Sequence, residues 1–137
     1  NAIKLEVTES AYTENADQLI KVIDELRSKG YEIEMDDFGS GYSSLNMLSS
    51  MPVDILKMDI AFIRNIESST KDLRLVELIV DIARYLNVPV IAEGVETENQ
   101  LGLLKDVGCD IVQGYYFSRP LPAAEFEQKV LAKAYGD

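Results

Sequence analysis

Five times along this chain a short apolar, β-branched run gives way to a segment with helical spacing. That alternation constrains the fold more than any other feature. Strand runs are read at 2–7 (AIKLEV), 31–35 (YEIEM), 53–59 (VDILKMD), 88–93 (VPVIAE) and 109–113 (CDIVQ). The segment 15–29 sets Leu19, Val22, Ile23 and Leu26 at i, i+3, i+4 and i+7, and Gly30 stops it. TESAYTENA, after the first strand, reads as turns, and SSLNMLSSM (43–51) as a short helix. The segment 71–86 carries Leu75, Ile79, Ile82 and Leu86 on one stripe. Thr97-Glu98-Asn99-Gln100 spells a capping box for a helix ending near Gly108, and Pro120 and Pro122 introduce a last helix over 123–134.

Strands separated by helices run parallel, because each right-handed crossover returns the chain to the same end of the sheet. Two α/β architectures satisfy this: an open doubly wound sheet and part of a (β/α)₈ barrel. Five units are too few for a closed barrel, which takes about 250 residues. No low-complexity linker divides the 137 residues, so residues 1–137 read as one domain segment.

Several chemistries are excluded outright. The chain has no histidine, which removes Ser-His-Asp and Cys-His nucleophile systems and any His-ligated zinc. Cys109 is the only cysteine, so no internal disulfide forms and a reducing compartment such as the cytoplasm is expected; it reads as a small core residue. The net charge of −11, from 24 acidic and 13 basic residues, repels DNA and anionic lipid. No run approaches the roughly 20 apolar residues that cross a bilayer, so no membrane contact is expected from this segment.

The informative polar residues fall where the strand runs end. The first run carries Glu6, with Glu9 just beyond; the second delivers Asp36 and Asp37, the third Lys57 and Asp59, the fourth Glu93 with Glu96 one turn later, and the fifth Gln113. In either parallel architecture those ends gather at one rim, where catalytic groups sit. Oxygen donors of this kind suit hard cations such as Mg²⁺ or Mn²⁺. Solvated loop acids are the plain alternative for any one position. Glu6, Lys57 and Glu93, however, lie within otherwise apolar runs, where an unpartnered charge costs several kcal/mol.

EMDDFGSGYSSL (34–45) admits three readings. Asp37-Phe38-Gly39 spells a kinase magnesium triplet, but no other kinase element accompanies it. Gly39 and Gly41 half-spell a dinucleotide loop whose third glycine is replaced by Ser44. The Asp36-Asp37 metal pair remains, followed by a glycine loop able to order over a substrate.

LEVTES, DDFGSGYSSL, LKMD, AEGVET and QGYYFSRPLP stand in the order and spacing of the EAL domain, and the chain resembles that family of bacterial cyclic di-guanylate phosphodiesterases over nearly its whole length. The Glu-Ala-Leu signature, a substrate-binding arginine near it and a ligating asparagine are not among these residues; the resemblance places them ahead of Asn1. The implied fold is the later five strand-helix units of a TIM-like (β/α)₈ barrel. The implied ligands of two divalent cations, Mg²⁺ or Mn²⁺, are Glu6, Asp36, Asp37 and Glu93. Lys57 matches a lysine that contacts the attacking water, and Lys57 and Glu93 are the implied catalytic pair. Gln113 and Asp59 match residues that position water or ligand. Glu9 and Glu96 resemble supporting residues, Glu9 anchoring the loop that holds Gly39, Gly41 and Ser43.

The implied reaction is metal-dependent hydrolysis of cyclic di-guanylate to the linear dinucleotide, with a non-catalytic nucleotide receptor or interaction module as the alternative. Sensory or diguanylate cyclase domains are expected in the parent protein, which can itself be membrane-anchored. A cut barrel exposes two sheet edges, with Val53, Ile55, Val90, Ile91 and Ile111 partly facing the gap. The segment alone is therefore expected to be inactive, and to be completed by the missing part of its own domain or by a second copy.

Overall fold

The computed structural model describes residues 3–39 and 52–131, and within these the side chain of Thr13 is left aside. The helix read at 43–51, Gly41 and Ser43 lie outside the described residues. Five strands, β1 (Lys4–Thr8), β2 (Glu32–Phe38), β3 (Ile55–Met58), β4 (Val90–Glu93) and β5 (Ile111–Gln113), form one parallel sheet. Their order in space is their order in sequence. A doubly wound sheet must reverse direction at a switch point, and this one never does. The sheet is an arc wound in a single direction, five successive units of a TIM-like barrel, which decides between the two architectures.

Register assigns the two faces. Lys4, Glu6 and Thr8 stand beside Glu32, Glu34 and Asp36; Lys57 stands beside Ile91, and Glu93 beside Gln113. Because side chains alternate along a strand, this face carries nearly every charge of the sheet. The opposite face holds Ile33, Met35, Leu56, Met58, Val90 and Ala92, all buried in one apolar cluster. Helices α2 (Ala16–Ser28), α4 (Thr70–Leu86) and α5 (Glu98–Asp106) contribute Ile23, Val76, Val80, Ala83 and Leu104 to that cluster.

Several expected details are corrected. TESAYTENA is helical, not turns: α1 spans Glu9–Glu14, entered from extended Thr8 with Glu9 in its first turn, and buried Tyr12 pins it to the core. An unforeseen short helix, α3 (Ile60–Arg64), follows β3, its first turn capped by Asp59. The buried stripe of α4 is Val76, Ile79, Val80 and Ala83, one step round from the expected one. These smaller side chains allow close approach to the sheet, while Ile82 and Leu86 flank the contact. Val22 is exposed and Ile20 packs in its place. The last helix breaks into α6 (Ala123–Phe126) and a π-helical turn over Glu127–Leu131.

Of the five residues expected to border a gap, only Ile111 is exposed, at 41%. Val53 and Val90 belong to the helix-packed cluster, and Ile55 and Ile91 sit on inner strands with a neighbour on either side. Ile111 lies on the edge strand. No helix among the described residues is long and apolar enough to cross a membrane.

Candidate active site at the carboxyl ends of the strands

The site begins with the alternation of β3. Leu56 and Met58 enter the apolar cluster, which turns Lys57 to the charged face. Lys57 is only 6% exposed, and such a buried ammonium needs partners. It has three. Its Nζ donates to Glu6 Oε1 at 2.9 Å and lies 3.3 Å from Glu93 Oε2 and 3.8 Å from Asp36 Oδ1. Residues from four adjacent strands thus meet at one point, 6, 36, 57 and 93 in a chain of 137.

A bulge in β2 brings two acids to this rim together. Met35 pairs with Leu56 and Phe38 with Met58, so two residues on β2 fill the space of one on β3. Those two are Asp36 and Asp37. The bulge requires a left-handed backbone at Asp37, φ +56°, a conformation that costs a non-glycine residue about 1 kcal/mol or more.

Electrostatics follow from that crowding. Burial by itself would lower the Lys57 pKa. The Glu6 hydrogen bond and the charges of Asp36, Glu93 and Glu6 outweigh burial and push it above its ordinary value. Lys57 is therefore an ammonium donor at neutral pH. Asp37 is pushed up, first by the Asp36 charge, then by burial and by Asp59 and Glu6, against the opposing pull of Lys57. Asp59 lies at the same rim, with its Oδ1 accepting from Ala61 N–H at 2.7 Å to start α3.

Three further candidates lie close to the rim. Glu9 is 2% exposed, and its Oε2 accepts the Gly39 N–H at 3.1 Å, tying α1 to the chain just past the bulge. Gln113 is exposed at the end of β5, with its carbonyl accepting the Val95 N–H at 3.1 Å. Glu96 is exposed, and its N–H donates to Gln100 Oε1 at 2.8 Å. Glu93, Glu96 and Gln113 border an open groove of about 790 Å³, whose other wall includes Tyr115, Phe117 and Arg119. The Arg119 guanidinium stacks 4.9 Å from the centre of the Tyr115 ring.

The sequence reading passed over Lys4 and Glu34. Lys4 Nζ and Glu34 Oε1 pair at 3.2 Å on the same charged face as Glu6. The two-residue alternation of KLEVT and EIEMD was the available signal.

Do these residues fit a divalent cation? Among the described residues no three Asp, Glu or Cys side chains already stand together as a metal-holding group. The carboxylates are gathered on the Lys57 ammonium instead. In chemistry the donors fit: they are hard oxygens, and Asp36 Oδ1 is buried with no hydrogen-bond donor. Asp36 and Asp37 also repel one another in a way that an added positive charge would relieve.

Cys109 stands apart from this site. Its half-buried Sγ donates to the Ile111 carbonyl at 3.2 Å, and burial pushes the thiol pKa up against the pull of backbone contacts. Iodoacetamide at pH 7.5 is expected to alkylate it at least about tenfold more slowly than free cysteine. A mass-spectrometric time course checks this, and equal rates would contradict it.

A parallel α/β barrel arc with its charged cluster at the carboxyl ends of the strands defines an α/β-barrel domain with a rim site. Residues 1–120 match the family model described as the EAL domain, and the chain belongs to that family. It is 47% identical over 126 residues to the cyclic di-GMP phosphodiesterase NbdA of Pseudomonas aeruginosa, covering 92% of this chain and 16% of that protein. The solved PaMucR phosphodiesterase in complex with c-di-GMP superposes with a TM-score of 0.85 at 42% identity, covering 89% of this chain and 49% of that one. Klebsiella pneumoniae BlrP1, solved with manganese and cy-diGMP, superposes with a TM-score of 0.77 at 39% identity, covering 84% and 29%. The chain thus spans less than half the length of each of these proteins.

Proposed function

We propose that this chain is the later part of a domain that hydrolyses cyclic di-guanylate to the linear dinucleotide. The observation that carries this reading is the convergence of Glu6, Asp36 and Glu93 on Lys57 at the rim. The names of NbdA and PaMucR support the substrate, and the manganese complex of BlrP1 supports divalent cations. Glu6, Asp36, Asp37 and Glu93 would hold two of them. When bound, such ions neutralise phosphate charge and acidify water.

The chain's own residues do the remainder. Lys57, held as an ammonium, donates a hydrogen bond that orients the attacking water at phosphorus. The new bond forms between the water oxygen and phosphorus, the bond from phosphorus to the 3′-oxygen breaks, and the proton that the attacking water gives up to solvent is matched by one that the leaving 3′-oxygen takes from solvent. Gln113 and Asp59 position water or ligand from neighbouring strand ends. Glu9 holds the chain at Gly39 through a part-buried hydrogen bond. Glu96 supports the neighbouring loop. Strands that precede β1 in the parent protein cover the sheet edges, and a second copy is the other candidate. Sensory or cyclase domains would complete a cytoplasmic parent.

The test is titration calorimetry with Mg²⁺ and cyclic di-guanylate, with product analysis, on this chain and on one extended upstream. Hydrolysis by the extended protein, and none by this chain, is expected. Tight nucleotide binding without turnover in either would replace the enzyme reading with a receptor. Light scattering on the same samples is expected to show this chain self-associated; a monodisperse 15.3 kDa monomer would refute the edge argument.

A further inference from the structure

Gln100 makes one hydrogen bond more than a helix cap needs. The residue is 5% exposed. The amide oxygen accepts from Glu96 N–H at 2.8 Å and Thr97 N–H at 3.2 Å, and these bonds complete the cap of α5. The amide nitrogen donates elsewhere, to the Ile63 carbonyl at 3.3 Å. Ile63 is buried in α3, the helix that starts from Asp59, two residues beyond Lys57. Glu96 lies three residues beyond Glu93. One buried amide therefore bridges the loop leaving β4 to the helix leaving β3, and the two strands it links supply Glu93 and Lys57.

We propose that Gln100 is a positioning residue for the rim site, holding the Glu93 loop at a set separation from the Lys57 strand. For its effect on turnover this rests on the functional reading above. A buried primary amide suits the task because it offers an acceptor to one element and a donor to the other. Its loss would let the loop shift by a fraction of an ångström without unfolding α5.

The test compares Q100E with T97A in the upstream-extended protein. Q100E keeps both acceptor bonds and loses the donor while its carboxyl is ionised. T97A removes the other half of the cap and leaves the bridge. In Q100E at pH 8, kcat is expected to fall about tenfold with KM changed less than twofold. The backbone amide signals of Glu93 and Gly94 should move in the same sample. Both effects should recede as the pH falls, because the protonated acid can again donate to Ile63. T97A should lower the melting temperature and show neither effect.

Wild-type kcat with unmoved amides in Q100E would overturn the proposal, as would equal effects in Q100E and T97A. Should Q100E fail to fold, Q100A is read the same way without the pH recovery. If the wild-type protein does not hydrolyse the nucleotide, the functional reading falls and the amide signals alone decide. Movement in Q100E and not in T97A sustains the bridge, and equal movement ends it.

Discussion

In the upstream-extended protein, Lys57→Met should lower hydrolysis by a factor on the order of 10²–10⁴ while leaving the barrel arc folded. Methionine matches the stem of lysine in length, so the packing beside Ile55 and Ile91 survives. The ammonium does not. Glu6, Asp36 and Glu93 then face one another with no cation between them. Solvent reaches Glu6 and Glu93 and screens part of that repulsion, so the stability cost is about 1–3 kcal/mol, not the larger figure of a fully buried pair.

The pH dependence has a definite sign. Lys57 has a folded pKa above its ordinary value of 10.5, so its contribution is fully present below that value and is lost only in strong alkali. The wild-type advantage over Lys57→Met is therefore present at pH 7. It should hold unchanged to about pH 9, still below that value. Urea unfolding at pH 7 and pH 9, with steady-state hydrolysis at pH 7, checks both parts. A variant with wild-type turnover would remove Lys57 from the chemistry.

Gly114→Ala should cost about 2–4 kcal/mol and also disable the rim. A Cβ on Gly114 would overlap the carbonyl oxygen and amide nitrogen of Val95, and it would lie 2.8 Å from the Val95 carbonyl carbon. These are backbone atoms and cannot rotate aside. The same Val95 peptide groups carry two ties between the two rim loops: Val95 N–H to the Gln113 carbonyl at 3.1 Å, and Tyr116 N–H to the Val95 carbonyl at 2.9 Å. A methyl group there must break or stretch both, moving Glu93 and Gln113 apart. Gly102→Ala is the control. Nothing lies within 4 Å of a Cβ at Gly102 on α5, so alanine there should stabilise by roughly 0.5–1 kcal/mol. Denaturant midpoints of the two variants should move in opposite directions; a harmless Gly114→Ala would show that the loops have slack.

Much of this was legible from the order of residues. Helical spacing located α2 and α4, a capping box located α5, and strand-type runs located all five strands to within a few positions. The capping box at Thr97 and Gln100 forms as spelled. Local chemistry suffices for such features, because a cap or an amphipathic stripe depends on neighbours within one or two turns. The misplaced details depended on distant partners. TESAYTENA is rich in turn formers, yet Tyr12 finds a buried place and Glu9 finds Gly39, thirty residues away, and the segment winds into α1.

By itself the sequence determined that strands and helices alternate, that histidine and disulfide chemistry are closed to this chain, and that acidic groups end its strands. Only the tertiary structure decided that the strands follow one another round an arc. It also decided that a bulge turns Asp36 and Asp37 to one rim, and that three carboxylates close on Lys57. The reason is range: periodicity and propensity act over a few residues, whereas register and charge convergence join positions up to 87 apart, from Glu6 to Glu93.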